Sequence, residues 1–146
     1  MRIMGIDFGD ARTGLAVSDE MNMLVGEAWT VNQWDPQRMA EIIVTEAENR
    51  GVRRLVLGLP KNMDGTEGPR AEKCREFGEL LKTLTDIELV LWDERRSSIE
   101  AHAILHANGK KEKKHRKTVD AVAASLILEG YLGTLRQGCV SLGLGL

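Results

Sequence analysis

A single carboxylate inside an apolar strand does most to limit how this chain can fold. Arg2 to Phe8 reads RIMGIDF, a short apolar run suited to a buried strand, and Asp7 interrupts it near its end. A bare carboxylate is so costly to bury that it must be paired, protonated or bound to a cation. Gly9, Asp10 and Gly14 then supply turn chemistry, and Thr13 to Val17 reads as a second strand. The opening is therefore a hairpin with an acid on its first strand, and the partners of that acid must come from elsewhere in the chain.

Local signals set out the rest. Leu24 to Val31 is a third strand, and three strands on short turns make an antiparallel meander. Asp35-Pro36 places an N-cap and a first-turn proline, so a helix starts there, and Gly51 stops it as a C′ glycine. Met39, Ile42, Ile43 and Ala47 share one face of that helix. Arg54 to Leu59 is a fourth strand, and Lys61 to Gly68 is a polar, turn-rich loop read as flexible. Pro69 opens a helix with Cys74, Phe77, Leu81 and Leu84 on its apolar side. Glu88 to Trp92 is a fifth strand that runs straight into Asp93-Glu94. Ser97 and Glu100 have capping-box spacing, which predicts a third helix to about Ala107. A last helix begins near Thr118, with Val119, Val122, Ala123, Leu126, Ile127 and Tyr131 along one face. Gln137 to Leu146 has no clear period and is expected to be a poorly ordered tail after one domain over 1–136. A meander followed by strand–helix alternation gives an α/β fold: a five-stranded mixed sheet flanked by helices.

The 146 residues suffice for one domain with its own core, and no apolar run approaches the ~20 residues of a membrane helix. The expectation is a cytoplasmic protein with no membrane association. Cys74 and Cys139 lack metal-ligand spacing and read as thiols. Net charge is −2, so bulk composition does not announce a nucleic-acid binder, but KKEKKHRK over Lys110–Lys117 puts six Lys or Arg residues into eight positions. That loop is a local place for an anion.

Three acids stand at element ends: Asp7 on strand one, Glu94 after strand five, and Asp120 in the first turn of the last helix. If strands one and four are parallel neighbours with five beside four, strands one and five open on one edge. A helix entering there brings Asp120 alongside. Three carboxylates in one place need a cation, and Mg²⁺ (or Mn²⁺) takes oxygen ligands while leaving positions for a phosphate. Two such ions ~4 Å apart would clamp both oxygens of a phosphodiester displacement. Each acid also has a plain structural use: Asp7 in a turn, Glu94 as an ion-pair partner of Arg95 or Arg96, Asp120 at the positive end of a helix dipole.

GIDFGDARTGLAVSD, GLPKNMDG, WDERRSS and KTVDAVAASLILEGYL resemble, in order, the four signature blocks of the YqgF or RuvX family, also called the Holliday junction resolvase or pre-16S rRNA nuclease family. The resemblance runs from about Arg2 to Leu132. It implies a ribonuclease H-like fold with strands one to three antiparallel and four and five parallel to one. It also implies a nuclease that matures the 5′ end of the small-subunit ribosomal RNA, with precursor rRNA and ribosomal particles as partners. Asp7, Glu94 and Asp120 match the metal-binding acids. Two positions depart from the pattern. Ala123 stands where RuvC-type resolvases carry a further acid, which weakens the branched-DNA reading and leaves Asp10 or the substrate phosphate to complete a second metal site. Arg96 stands where an apolar residue is more usual.

The expected nucleic-acid contacts are Lys110, Lys111, Lys113, Lys114, Arg116 and Lys117 on the phosphate backbone, with Arg12 and Arg95 near the scissile phosphate. Asn62 and Asp64 are placed to line the cleft, and Trp29, Trp34 and Trp92 are divided between stacking on bases and the core. The expected reaction is hydrolysis that leaves a 5′-phosphate and a 3′-hydroxyl. Cleavage of branched DNA, a phosphate-binding ATPase hairpin and a non-catalytic nucleic-acid-binding assembly factor are the competing readings. A monomer and a homodimer both remain open.

Overall fold

The structure, a computed structural model, describes residues 2–19, 21, 24–93 and 121–135. Its elements are β1 (Arg2–Asp7), β2 (Arg12–Ser18), β3 (Val25–Asn32), α1 (Pro36–Asn49), β4 (Val52–Leu59), α2 (Pro69–Leu84) and β5 (Glu88–Asp93). A further helix, α3, covers 121–135. The helix expected from Ser97, the basic loop and the tail after Gln137 lie outside the described residues.

The five strands form one sheet in the order β3-β2-β1-β4-β5. β1 pairs antiparallel with β2, and β2 with β3. β1 pairs parallel with β4, and β4 with β5. This is the mixed topology expected from the sequence. Because β1, β4 and β5 are parallel, their C-terminal ends share one edge of the sheet.

Side-chain alternation divides the core into two layers. Met4 and Ile6 of β1, with Phe8 just after it, pack with Leu15, Val17, Leu55, Leu57 and the inner faces of α1 and α2. Ile3, Ala16, Val56 and Trp92 point the other way and pack with Ala124, Ile127, Leu128 and Leu132 of α3. Both faces of the central strands are covered, which is why their sequences are apolar throughout.

The helix ends follow their local chemistry. The Asp35 carboxylate accepts a hydrogen bond from the Gln37 backbone N–H at 3.1 Å, with Pro36 opening α1. Gly51 ends the helix region with φ of 69°, which an L side chain rarely adopts. Several boundaries and faces differ from expectation. β3 runs Val25–Asn32, and Leu24 is exposed rather than paired. β4 starts at Val52, two residues early, because Val52 is buried and pairs with Arg2 of β1. Ile42 is only half-buried, whereas Ala40 and Val44 complete the inner face of α1. The buried line of α3 runs through Ala124, Ile127, Leu128 and Leu132, leaving Val122, Ala123 and Tyr131 half-buried.

Candidate active site

Asp7 is the last residue of β1 and lies at the edge where β1, β4 and β5 end. Its strand parity matches Ile3 and Gly5, so it stands on the α3 side of the sheet. Its neighbours in the sheet are almost without side chains. Gly14 pairs with it on β2. Gly58 is one step past Leu57, the β4 partner of Ile6, and is paired in turn with Trp92. The half-buried carboxylate thus sits between two buried glycines.

A second glycine effect brings α3 close. A Cβ on Gly5 would lie 2.8 Å from the Ala124 carbonyl oxygen and 2.9 Å from Leu128 Cβ. Only glycine lets the helix backbone settle this near β1. Farther along α3, the Tyr131 hydroxyl accepts a 2.8 Å hydrogen bond from Arg54 Nη1. Arg54 Nε binds Glu88 at 2.8 Å, and the Tyr131 ring meets Trp92 edge to face at 5.9 Å. Burial works against the Arg54 charge, but its bonds to Glu88 and Tyr131 outweigh that and raise its pKa. Arg54 is level with Ile3 in the sheet, below Gly5. Residue numbers in α3 therefore rise away from the Asp7 edge, and the 121 end of the helix is directed toward it.

The other expected acids, Glu94 and Asp120, lie outside the described residues. Their chain neighbours do not: Asp93 ends β5 opposite Leu59 at this edge, and Ala121 begins α3. Among the described residues, no three His, Cys, Asp or Glu side chains come together as a metal site. Arg95, Lys110, Lys111, Lys113, Lys114, Arg116 and Lys117 also fall outside. Arg12 opens β2 opposite Asn32, two residues before the glycine that pairs with Asp7, and shares the parity of Ala16. It is thus a diagonal neighbour of Asp7 in register, ~7–8 Å away between backbones.

Other side chains around this edge are held in several ways. Asp10 forms an ion pair with Lys73 of α2 at 3.5 Å, on the opposite face of the sheet from α3. Asn62 and Asp64 fold the loop onto itself. The Asp64 carboxylate accepts from the Thr66 N–H at 3.0 Å and its hydroxyl at 2.6 Å, and the Asn62 amide donates to that hydroxyl at 2.9 Å. Glu67 holds Arg75 through two bonds of 2.6 and 2.7 Å, which keep its carboxyl below the usual range. Trp92 is buried, Trp29 lies under the Arg50 guanidinium at 4.1 Å, and Trp34 is exposed. Sequence reasoning missed Gly5 and Gly58 as site-builders. Their signal was present: an isolated glycine within an apolar strand marks a close backbone approach. It also missed Arg70, whose Nη2 donates to the Phe8 carbonyl at 2.8 Å and ties α2 to the turn after Asp7.

Residues 1–134 match the RuvX family, described as Holliday junction resolvase. A protein of Halothermothrix orenii named "Putative pre-16S rRNA nuclease" is 42% identical over 132 residues, covering 90% of this chain and 94% of its own. One of the same name from Acetivibrio thermocellus is 40% identical over 139 residues, covering 90% and 95%. Among solved structures, the fowlpox virus Holliday junction resolvase superposes with a TM-score of 0.58 at 13% identity, covering 92% of this chain and 99% of that one. Thermus thermophilus RuvC bound to a Holliday junction gives 0.55 at 15% identity, covering 92% and 97%. These likenesses show the ribonuclease H-like fold. With a strand-end aspartate between two glycines and a helix docked on Gly5, and with the family match spanning nearly its whole length, the chain belongs to the RuvX family.

Proposed function

We propose that this chain is a metal-dependent nuclease of the cytoplasm that hydrolyses a phosphodiester bond of precursor small-subunit ribosomal RNA. The observation that carries the reading is Asp7: a carboxylate at the common C-terminal edge of β1, β4 and β5, on the face toward which the start of α3 is directed. The names of the relatives at about 40% identity support the substrate. Glu94 follows Asp93 in sequence, and Asp93 closes β5 at the edge that Asp7 occupies. Asp120 immediately precedes Ala121 in sequence, the first described residue of α3.

An all-oxygen donor set of three carboxylates suits Mg²⁺ or Mn²⁺, and Asp7, Glu94 and Asp120 would hold it. When bound, such an ion lowers the cost of the negative charge that builds on the phosphate and the attacking water. The protein's own part is positioning. Gly14 and Gly58 place no side chain directly beside Asp7 in the sheet. Asp7 and Glu94 orient a water and accept its proton as its oxygen bonds to phosphorus. The P–O3′ bond breaks and the departing O3′ takes a proton from solvent, leaving a 3′-hydroxyl and a 5′-phosphate. Arg12 and Arg95 balance charge at the scissile phosphate, and Lys110, Lys111, Lys113, Lys114, Arg116 and Lys117 hold the backbone on either side. Asp7→Asn keeps the shape of the site and removes its charge. The expected result is loss of cleavage of a precursor rRNA fragment by at least about 100-fold with an unchanged circular dichroism spectrum, since one misplaced catalytic group commonly costs that much. Undiminished cleavage by that variant would overturn the mechanism.

The family description favours a second reading, cleavage of branched DNA. Digestion of a four-way junction beside the rRNA fragment separates the two, and the rRNA fragment is expected to be the better substrate.

A further inference from the structure

Two large apolar side chains are left in solvent at the edge that carries Asp7. Trp34 is 78% exposed and Met63 is 89% exposed. Scattered apolar residues on a surface are ordinary, so exposure alone means little. The setting of Trp34 is more particular. β3 ends at Asn32 opposite Arg12, so the 33–35 connection emerges beside the β1–β2 turn. Thr30 of β3 is paired with Gly14, which is paired with Asp7, so Trp34 lies four residues past the Asp7 row and two strands to the side. That is ~10 Å sideways and at most ~13 Å along the strand direction.

The connection is also pinned at both ends. The Gln33 backbone N–H donates to the Ala11 carbonyl at 3.0 Å. The Asp35 N–H donates to Gln33 Oε1 at 3.2 Å, and the Asp35 carboxylate caps α1. Arg38 lies 3.8 Å from the same carboxylate. A large indole on a fixed backbone, exposed beside a phosphodiester-cleaving edge, is the arrangement of a stacking platform. Every nucleobase has a face that stacks on an aromatic ring, and an unpaired base is free to present it. A base inside a duplex already has both faces covered.

We propose that Trp34 stacks on an unpaired nucleobase of the substrate, a short distance along the strand from the scissile phosphate, so that the site selects single-stranded segments. This rests on the nuclease reading above, but its test is one of binding. Fluorescein-labelled single-stranded oligonucleotides, one RNA and one DNA of the same sequence, and the matching duplexes are titrated with the full chain in Mg²⁺-free buffer. Trp34→Ala is expected to weaken single-strand binding roughly 10-fold or more and duplex binding less than about 2-fold. Trp34→Phe is expected to recover most of the loss. An equal loss in the RNA and DNA arms assigns the contact to the base itself, and a larger loss for RNA assigns it to an RNA strand. Single-strand affinity unchanged in Trp34→Ala, an equal loss for duplex and single strand, or no saturable single-strand binding by the unaltered chain would each overturn the proposal. Asp7→Asn separates this from the nuclease reading: it should lose cleavage, and adding Trp34→Ala to it should still weaken single-strand binding roughly 10-fold while changing duplex binding less than about 2-fold.

Discussion

Asp7 shows how much of a residue's chemistry is set by neighbours it does not touch in sequence. An acid at the end of an apolar strand is legible from RIMGIDF alone, because nothing else there tolerates charge. The glycines that flank it come from β2 and β4, and only strand register brings them together. Glu67 is a second case, in which pairing is worked out by pH. Its two bonds to Arg75 hold the carboxyl below its ordinary value of 4.5. A carboxyl with a lowered folded-state pKa stabilises the fold above its unfolded value and loses that contribution as pH falls through the folded value. Glu67→Gln should therefore lower the thermal midpoint slightly at pH 7, and the difference from the unaltered chain should close as pH drops below about 4.5. A difference that stays constant from pH 7 to 3 would show that the pair does not form. The contribution is small, because the pair is exposed to solvent.

At the scale of elements, α3 is the part whose position matters most. The sequence places a helix there without ambiguity. It does not settle the helix's phase, since AVAASLILEGYL is apolar over a wide arc and several stripes satisfy the same period. Leu126 and Ile127 of the expected stripe are buried, but the buried line also takes in Ala124, Leu128 and Leu132, where Gly5 admits the helix backbone, and leaves Val122, Ala123 and Tyr131 half-buried. Gly5→Ala puts a methyl group within 3 Å of that backbone. Overpacking of this kind costs about 1–3 kcal/mol, and relief requires α3 to move off β1. The variant is expected to melt lower and, at temperatures where it stays folded, to cleave more slowly, because the start of α3 moves with the helix. A melting point lowered with full cleavage would mean that α3 only stabilises the sheet. The β4 start was missed for a related reason. Arg53 and Arg54 interrupt the apolar pattern, yet Val52 belongs to the strand because it is buried and pairs with Arg2 of β1.

Across the whole molecule, the architecture was legible because it rests on local signals added in order: a meander, a capped helix, then strand–helix alternation. What no local signal contains is that β4 inserts beside β1 and carries β5 with it. That one parallel pairing turns Asp7 and Asp93 into occupants of a common edge, and the docking on Gly5 directs α3 toward it. The account therefore stands on the gathering of Asp7, Glu94 and Asp120. Diffraction from Mn²⁺-soaked crystals, recorded at the manganese edge, tests it most directly. The account predicts an anomalous peak about 2.1 Å from a carboxylate oxygen of Asp7, with Glu94 and Asp120 in the same coordination shell. A peak elsewhere, or a saturating soak that leaves Asp7 without manganese, would contradict it.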